Sequence, residues 1–477
     1  MATMRWLIHQ LLLSLLLLVA VGSGVHCTAD TTVISLEELH WRRSRPSQPL
    51  LPQRSRREKD AIVLEMRHHS TSWEPTPNQE DKLQMIMVSD EARVSYLLSR
   101  MNKISSKSQQ GSSKAQIPLT SGRKLQTLNY IVNIELGSRK MTVIVDTGSD
   151  LTWIQCQPCQ SCYNQQDPIF DPSTSLSYQP IQCNSPTCHS LQVSTGDSSN
   201  CSLNHPSCTY AISYGDGSYT RGILARDQIK LAGTVIEGFA FGCGQNNRGL
   251  FGGTSGLMGL AQSELSLVSQ TTDQFGGFFS YCLPTKEFDS SGALVLGSDS
   301  SSYRNSTPVV YTRMILDPNQ SPFYFLNLTG MSIGGVSLQA SGFLSGKILI
   351  DSGTVITRLV PSIYKAVKDE FLEQFSQYPS VPGFSILDTC FDLSGKKEVN
   401  IPTVKLEFES AVEVEVDVSG VFYFVKSDAS QVCLAFTGLS YEDEVGIIGN
   451  YQQKNLRVVY DTMGSRLGFA EETCGYN

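Results

Sequence analysis

Residues 143–153 read VIVDTGSDLTW, in which aliphatic and β-branched residues run into an aspartate and small or hydroxyl residues follow at once. Residues 348–357 repeat this order as ILIDSGTVIT. Because β-branched residues favour extended structure, each stretch predicts a strand that ends at one carboxylate, Asp146 in the first case and Asp351 in the second. A lone D-[ST]-G triplet arises easily by chance, whereas two in matching surroundings indicate an internal duplication.

A second pair of stretches extends this duplication. SGLMGL at 255–260 in the first half corresponds to VGIIGN at 445–450 in the second. The period of about 200 residues is far longer than that of solenoid repeats. The sequence therefore predicts two similar lobes that face each other.

Equivalent strand ends of two such lobes meet at the pseudo-twofold axis, so we expect Asp146 and Asp351 to lie side by side. Two adjacent carboxylates cannot both ionise cheaply, and they share one proton as a coupled pair with one apparent pKa low and the other raised. One carboxylate can then take a proton from a bridging water while the other donates to a substrate oxygen. The predicted reaction is direct attack by water, with no covalent intermediate, metal or other cofactor.

Small and hydroxyl residues follow both aspartates in matching positions. They are Thr147, Gly148 and Ser149 in the first half, and Ser352, Gly353 and Thr354 in the second. The glycines permit a tight turn and let backbone N–H groups approach the carboxylates. The first hydroxyl of each set can hydrogen-bond across the axis, and the second can donate to the outer carboxylate oxygen. Ordinary turn capping is the alternative role for these hydroxyls.

The beginning of the chain predicts export. It reads MATMRWLIHQLLLSLLLLVAVGSGVHC, with a basic residue before an apolar run and small residues after it. This pattern is typical of a signal peptide, here residues 1–27. A membrane anchor is the alternative, but the run is shorter than the roughly 20 apolar residues of a span. We therefore expect a secreted protein without a membrane span, in the apoplast or else the vacuole.

Cysteines and sequons agree with that route. Twelve cysteines lie between Cys156 and Cys474, an even number that suits disulfides in an oxidising compartment. The spacing of Cys156, Cys159 and Cys162 would also suit zinc, but disulfides are favoured in a secreted chain. The sequons predict N-glycosylation, at Asn200, Asn305 and Asn327.

Residues 28–124 differ from the rest and are predicted to be a removable propeptide. Residues 28–128 carry 16 Lys and Arg against 11 Asp and Glu, whereas residues 129–477 carry 20 against 34. A basic front and an acidic body can attract each other at neutral pH and separate when carboxylates protonate; two independently solvated regions are the alternative. The stretch DKLQMIMVSDEARVSYLLSRM predicts a helix with Met85, Val88, Ala92, Tyr96 and Leu97 on its apolar face.

The remainder indicates an all-β protein with few helices. CTYAISYGDGSYTRGILARDQIKL has period-2 apolar character around a Tyr-Gly-Asp-Gly turn and predicts a β-hairpin. The clearest helix is PSIYKAVKDEFLEQF, with Ile363, Val367, Phe371 and Phe375 on one face. The fold class we predict is two pseudo-twofold-related β lobes with a cleft between them, an N-terminal lobe over 125–305 and a C-terminal lobe over 306–477.

The motifs VDTGS, IDSGT, SYGDGS, GLMGL and GIIGN resemble those of the pepsin-like aspartic proteases. The cysteine-rich insertion CQPCQSCYNQQDPIFDPSTSLSYQPIQCNSPTC and the stretch FGCGQNNRGLFGG resemble the nepenthesin-type branch found in plants. The likeness covers about residues 125–477. It implies a bilobal pepsin-like fold, an aspartic endopeptidase made as a zymogen, and catalysis at acid pH by Asp146 and Asp351 on peptide or protein substrates.

The resemblance also assigns roles to other residues. Tyr214 matches the tyrosine of a flap hairpin that closes over bound peptide, Gly215 and Gly217 give the hairpin mobility, and Trp153 matches the tryptophan that hydrogen-bonds the flap tyrosine. A simple core aromatic is the alternative for Trp153. Leu257–Met258–Gly259 and Ile447–Ile448–Gly449 match the apolar loops beneath the two aspartates.

The same resemblance implies a set of disulfides. These are a tied insertion in the first lobe, a Cys390–Cys433 bridge in the second, and a bridge from Cys243 to Cys474.

Other functions have less support from the sequence. After residue 128 the only histidines are His189 and His205, and neither is near a serine elbow, which disfavours Ser–His or Cys–His chemistry. The alternative function is a catalytically inactive pepsin-like protein that binds or inhibits a partner. Nucleic-acid binding is not expected, because the body is acidic and opposes phosphate contacts. We expect a monomer whose partners are its substrates and its own propeptide.

Overall fold

The computed structural model describes residues 30–36, 56–57, 61–68, 79–105, 129–195, 201, 206–214, 218–249, 251–284, 292–298, 303, 305–316 and 322–474. Four features predicted from sequence lie outside these residues. They are the signal peptide, the sequon at Asn200, and the flap glycines Gly215 and Gly217.

The structure is built mainly of strands, as predicted. The N-terminal segment contributes β1 (Thr31–Ser35), β2 (Arg56–Arg57), β3 (Ala61–His68) and helix α1 (Gln79–Ser105). The first half then forms β4 (Tyr130–Leu136), β5 (Arg139–Asp146), β6 (Trp153–Gln155), β7 (Gln179–Pro180), β8 (Thr209–Ser213), β9 (Tyr219–Leu231), β10 (Thr234–Arg248), β11 (Gly256–Gly259), β12 (Phe278–Cys282) and β13 (Gly292–Gly297). Its short helices are α2 (Pro186–His189), α3 (Leu191–Thr195), α4 (Leu267–Gln270) and α5 (Thr272–Phe275).

The second half has a similar make-up. Its strands are β14 (Val310–Arg313), β15 (Phe325–Ile333), β16 (Val336–Ser337), β17 (Lys347–Ile350), β18 (Thr357–Leu359), β19 (Ser380–Val381), β20 (Cys390–Phe391), β21 (Glu398–Pro402), β22 (Val404–Phe408), β23 (Val412–Glu415), β24 (Phe422–Phe424), β25 (Val432–Leu434), β26 (Phe436–Gly438), β27 (Gly446–Ile448), β28 (Leu456–Asp461) and β29 (Arg466–Glu471). Its helices are α6 (Pro361–Gln374) and α7 (Val418–Val421).

Helix α6 confirms the helix predicted at 361–375. A proline stands at the start of its first turn, where its missing N–H costs nothing. Ile363, Val367 and Phe371 are buried along one face, and Phe375 is buried at the C-cap. The helix therefore packs against its lobe through the predicted stripe.

The two halves use the same local topology to present their aspartates. Strand β5 pairs in parallel with β11, so that Asp146 lies opposite Gly259. Strand β17 pairs in parallel with β27, and the Asp351 N–H donates to the Ile448 carbonyl at 3.0 Å. The internal duplication of the sequence therefore corresponds to two equivalent structural units, as predicted.

The N-terminal segment is part of the folded body. Strand β3 lies between β13 and β4 in a sheet that continues through β12, β28 and β29 and so draws on both halves of the chain. Leu64 and Met66 on β3 are fully buried in its core. Strand β1 pairs antiparallel with β21 in the second half. Folding therefore uses backbone hydrogen bonds and apolar area from a segment that the sequence predicts to be removed.

All twelve cysteines from Cys156 onward are paired. The bridges are Cys156–Cys243, Cys159–Cys162, Cys183–Cys201, Cys188–Cys208, Cys282–Cys474 and Cys390–Cys433. The implied Cys243–Cys474 bridge is therefore wrong. Parallel pairing of β10 with β6 brings Cys243 beside the end of β6 and Cys156, whereas the C-terminal cysteine lies near the end of β12. Sequence spacing could not have distinguished these neighbours.

Candidate active site

Asp146 and Asp351 lie at the ends of β5 and β17, where the two halves meet. Their exposed fractions are 1% and 0%. A single guanidinium nitrogen, Nη2 of Arg93, lies 2.6 Å from Asp146 Oδ1 and 2.9 Å from Asp351 Oδ2. The two carboxylates are thus close enough to be bridged by one atom, as the predicted dyad requires.

Each aspartate has the same hydrogen bonds as its counterpart. Asp146 Oδ1 accepts from the Gly148 N–H at 3.0 Å, and its Oδ2 accepts from the Ser149 hydroxyl at 2.7 Å. Asp351 accepts from the Gly353 N–H at 3.0 Å and from the Thr354 hydroxyl at 2.6 Å. Because donors are aimed at both oxygens of each group, the carboxylates are held in fixed orientations before any ligand binds.

Two hydroxyls connect the loops across the axis. The Thr147 N–H donates to the Ser352 hydroxyl at 3.1 Å, and the Ser352 N–H donates to the Thr147 hydroxyl at 2.9 Å. The four predicted hydroxyl residues therefore act between and within the loops and are not simple turn caps.

Close packing at the axis explains the glycines. A Cβ added at Gly148 would lie 2.7 Å from Asp351 Oδ1, and one added at Gly353 would lie 2.5 Å from Asp146 Oδ1. Both distances are shorter than van der Waals contact, so each glycine makes room for the carboxylate of the opposite lobe.

Helix α1 crosses this junction and brings Arg93 to both aspartates. The Arg93 Nε donates to Asp351 Oδ2 at 3.0 Å, and Nη1 donates to Asp146 Oδ2 at 3.3 Å. Burial opposes the charged form of Arg93, but the two carboxylates outweigh it and raise the pKa of the guanidinium. Where we predicted a shared proton, this structure has an arginine cation instead.

The rest of α1 fills the space between the halves. Leu83, Ile86 and Met87 pack against Val355 and Ile356 near its first turns. Further along, the buried residues are Val94, Leu97 and Met101, which pack against Phe323, Phe325, Leu349 and Ile447. The predicted helix exists and Leu97 of its predicted apolar face is buried, but Val88 of that face is 57% exposed. The face that is buried also contains the charged side chains of Asp90, Arg93 and Arg100, which a hydrophobic period does not register.

The predicted hairpin is formed by β8 and β9 and reaches the same region. The Trp153 indole N–H donates to the Tyr214 hydroxyl at 2.9 Å, and Phe251 packs edge-on against both rings. Tyr214 also lies next to Tyr96 of α1, with ring centroids 5.9 Å apart. The hairpin tyrosine is therefore placed over the dyad region and in contact with the helix that occupies it.

The hydrogen bond between Trp153 and Tyr214 leads to a stability prediction. Trp153→Phe leaves the half-buried Tyr214 hydroxyl without its donor, and we expect it to lower the free energy of unfolding by about 1 kcal/mol. Because the substitution also removes volume, chemical denaturation of Tyr214→Phe and of the double variant should be measured too. This double-mutant cycle is expected to give a coupling energy of about 1 kcal/mol between the two side chains. If the two single substitutions have additive effects on the free energy of unfolding, the hydrogen bond contributes nothing.

Asp150 is a titratable group of the first lobe that the sequence analysis did not single out. It is 1% exposed, and its Oδ1 accepts from the Ser263 N–H at 2.8 Å. Its Oδ2 has no hydrogen-bond partner among the described residues. Burial raises the pKa of Asp150 to about 7, although the nearby Arg100 guanidinium lowers it.

This pKa predicts a pH dependence of stability. Between the unfolded pKa of about 3.9 and the folded value of about 7, the folded chain binds a proton that the unfolded chain lacks. The stabilisation is therefore complete below about pH 4 and is lost as the pH rises towards 7. Asp150→Asn removes the titrating group. Between pH 4 and 7 we therefore expect the free energy of unfolding of wild type to fall by a few kcal/mol relative to that of the variant. Denaturant unfolding at several pH values measures this difference, and a constant difference would contradict the assignment.

Polar side chains beneath Asp351 were also missed by the sequence analysis. The Gln453 amide donates to the carbonyls of Asp351 at 3.3 Å and Ile448 at 3.0 Å. The Tyr281 hydroxyl contacts Gln453 and lies 2.9 Å from the Tyr460 hydroxyl. These residues are spread over the chain and carry no local motif. The signal that could have pointed to one of them is the position of Gln453, three residues after the end of the repeated GIIGN.

The predicted zinc alternative is not supported. Cys159 is bonded to Cys162 and Cys156 to Cys243, so these thiols are unavailable as ligands. Within the described ranges no group of three or more His, Cys, Asp or Glu side chains is arranged to hold a metal ion. In the same part of the chain, no helix combines the length and apolarity of a membrane span.

Two β lobes that each deliver a D-[ST]-G aspartate to a common junction beneath a hairpin define the pepsin-like class. Two family models match the chain, Xylanase inhibitor N-terminal over residues 130–298 and Xylanase inhibitor C-terminal over residues 323–471. An aspartyl protease family protein of Arabidopsis thaliana is 44% identical over 392 residues, which is 81% of each chain. Aspartic proteinase nepenthesin-1 of Nepenthes gracilis is 36% identical over 359 residues, covering 72% of this chain and 78% of that protein.

The chain belongs to the plant pepsin-like aspartic proteases of the nepenthesin-type branch. Among solved structures, Basic 7S globulin from soybean matches with a TM-score of 0.58 at 20% identity, covering 74% of this chain and 96% of that one. The structure called EDGP matches with the same TM-score and identity over 72% of this chain and 91% of its own. These two likenesses establish the pepsin-like fold.

Proposed function

We propose that the chain is the secreted zymogen of an aspartic endopeptidase that cuts peptide bonds at acid pH. The observation that carries the proposal is the pair of buried carboxylates, each with the same set of donors, that lie within hydrogen-bond distance of one guanidinium nitrogen. Such a junction also holds a single water between two oxygens once the guanidinium has left. The names of the protease relatives agree with this function.

The reaction needs only the dyad and that water. One carboxylate takes a proton from the water while the water oxygen attacks the carbonyl carbon of the scissile peptide bond. The other carboxyl donates its proton to the carbonyl oxygen. The carboxyl that took the water proton then protonates the leaving nitrogen as the C–N bond breaks. The other carboxylate takes a proton from one hydroxyl of the tetrahedral intermediate, which returns the dyad to its starting state. One carboxyl has to be protonated at the start, which is why acid pH favours the reaction.

Arg93 would keep the precursor inactive. Its guanidinium takes up the carboxylate oxygens that the water needs, and α1 fills the cleft on both sides of it. Because Arg93 is held by two ion pairs to the aspartates, neutralising a carboxylate in acid would weaken its hold on the junction. Acid would thus release α1 and allow cleavage in the region between α1 and β4.

A protein that binds or inhibits a partner is the second candidate, because both matching family models are called after a xylanase inhibitor. Loss of a catalytic aspartate or of a supporting hydroxyl would favour it. Here Asp146 and Asp351 both retain their hydroxyl and amide donors, so we favour the protease.

Digestion of a denatured protein at acid pH tests the proposal. Wild type is expected to produce fragments, and Asp146→Asn, which keeps the shape of the side chain, is expected not to. Cleavage by both forms at the same rate would assign the activity to a different site or a contaminant, and cleavage by neither would favour the binding protein.

The protein would follow the secretory route. Six disulfides suit an oxidising compartment, and the apoplast is our first choice, with the vacuole second. Asn305 is exposed, whereas Asn327 lies half-buried on β15 and its side-chain N–H donates to Glu409 at 2.8 Å. Glycosylation is therefore sterically easier at Asn305. We expect a monomer that binds peptides and no nucleic acid.

A further inference from the structure

A second carboxylate on α1 is held in a separate set of donors, away from the dyad. Asp90 is buried, one helical turn before Arg93. Its Oδ1 accepts from the Val355 N–H at 2.6 Å, and its Oδ2 accepts from the Ile356 N–H at 3.1 Å and from Arg358 Nη2 at 3.0 Å. Two backbone amides and a guanidinium therefore converge on one carboxylate.

The guanidinium in this set depends on α1 for its counter-charges. Arg358 is 1% exposed. Its Nη1 donates to the Ile356 carbonyl at 2.9 Å, and its Nη2 contacts Glu91 Oε2 at 3.2 Å as well as Asp90. Among the described residues, both carboxylates paired with Arg358 belong to α1, and Arg358 Nε has no partner. A buried cation without a counter-charge is costly.

The donors themselves belong to the body of the second lobe. Arg358 lies on β18, where it is opposite Thr437 of β26 and Ile447 of β27. The two amides lie between Asp351 and this strand. Departure of α1 would remove the bound carboxylate and expose these three donors, which belong to the second lobe.

We propose that Arg358, together with the N–H groups of Val355 and Ile356, forms a subsite of the processed protein that binds an aspartate or glutamate side chain of the peptide substrate. The inference rests on the proposed function, because α1 has to leave first. Asp90 and Arg93 are three residues apart, about 4.5 Å along a helix axis, and an extended peptide advances about 3.3 Å per residue. The acidic side chain therefore belongs within a few residues of the cut.

The conditions of the test follow from the burial of the site. Burial raises the pKa of the Asp90 carboxyl, although Arg358 and the two amides lower it. The acidic side chain of the substrate has to be ionised to pair with Arg358, and the ordinary pKa of glutamate is about 4.3. Cleavage should therefore be measured at about pH 5.5 or higher, with processed protein.

The experiment compares peptide pairs that differ only by glutamate or glutamine, placed in turn at each position around the cut. All peptides are amidated at the C terminus, so that a terminal carboxylate cannot occupy the site. We expect glutamate to raise kcat/KM about tenfold at one position, as a hydrogen-bonded ion pair of this kind allows. Arg358→Gln should abolish this preference for glutamate even if it also changes the overall rate of cleavage, and Arg358→Lys should keep part of the preference. Arg313→Gln, a control at an exposed position, should leave the preference unchanged.

If kcat/KM for the glutamate peptide equals that for the glutamine peptide at every position, the subsite is overturned. A preference for glutamate that survives Arg358→Gln would overturn it as well. Cleavage of no peptide at all would instead contradict the proposed function. In that case the protein is first cut between α1 and β4 by an added protease. The same pairs of peptides, made with a non-hydrolysable bond in place of the scissile peptide bond, are then titrated against it and their affinities are compared. Tighter binding of the glutamate peptide supports the subsite, and equal affinity overturns it.

Discussion

Arg93→Gln is expected to abolish the latency of the full-length chain. The variant should convert itself and cleave a peptide substrate at a mildly acidic pH at which wild type stays intact and silent. Arg93 makes ion pairs with both aspartates at 2.6 and 2.9 Å, and removing one partner of a buried ion pair costs about 3–5 kcal/mol. Here that cost falls on the bound form of α1, because the two carboxylates are left facing each other without a cation. The rate of conversion, followed on gels, and the rate of peptide cleavage measure the effect.

Arg100→Gln is the matched control on the same helix. Arg100 is buried and donates to the Ser194 carbonyl at 3.4 Å, but it is not bonded to either Asp146 or Asp351. We expect it to change the onset of conversion only slightly. Equal effects of the two substitutions would mean that α1 inhibits by filling the cleft, and that its contact with the dyad is incidental.

Asp146→Asn and Asp351→Asn should each reduce peptide cleavage by about 10³-fold or more, since general acid–base groups contribute roughly 10²–10⁴-fold. The two aspartates share one water and act as a unit, so the double variant should be hardly worse than either single variant. Because neither variant can process itself, all forms are cut with the same added protease before kcat and KM are measured.

Asp369→Asn serves as the control for these variants. Asp369 lies on the exposed face of α6, paired with Lys365. Its substitution should leave cleavage unchanged. A single dyad variant that keeps most of its activity, or losses that multiply in the double variant, would contradict a shared mechanism.

The parts of the site that could be predicted are those with a local signature that occurs twice. The strands before Asp146 and Asp351 are recognisable from β-branched residues, and the repeat alone predicts that their ends meet. The cross-axis hydrogen bonds of Thr147 and Ser352 follow from the same symmetry. The hairpin and helix α6 were predicted because their apolar periods are undisturbed.

The occupant of the site could not be predicted in the same way. Helix α1 buries charged residues, and each is paired with a group more than 50 positions away in sequence. An apolar period assigns such residues to the solvent side, which is why the predicted face included Val88. The charge difference between residues 28–128 and the body was compatible with attraction or with two independently solvated regions, and it did not indicate that Arg93 would lie between the aspartates.

The central claim is that two aspartates cut peptide bonds and that α1 holds them inactive through Arg93. The most direct test is the peptide-cleaving rate of one sample of full-length chain, measured at the same assay pH before and after incubation at about pH 3.5–4, with the new N terminus sequenced. We predict almost no cleavage before, strong cleavage after, and a new N terminus between residues 105 and 130. An intact precursor that never cleaves, or a full-length chain already as active before incubation, would contradict the account.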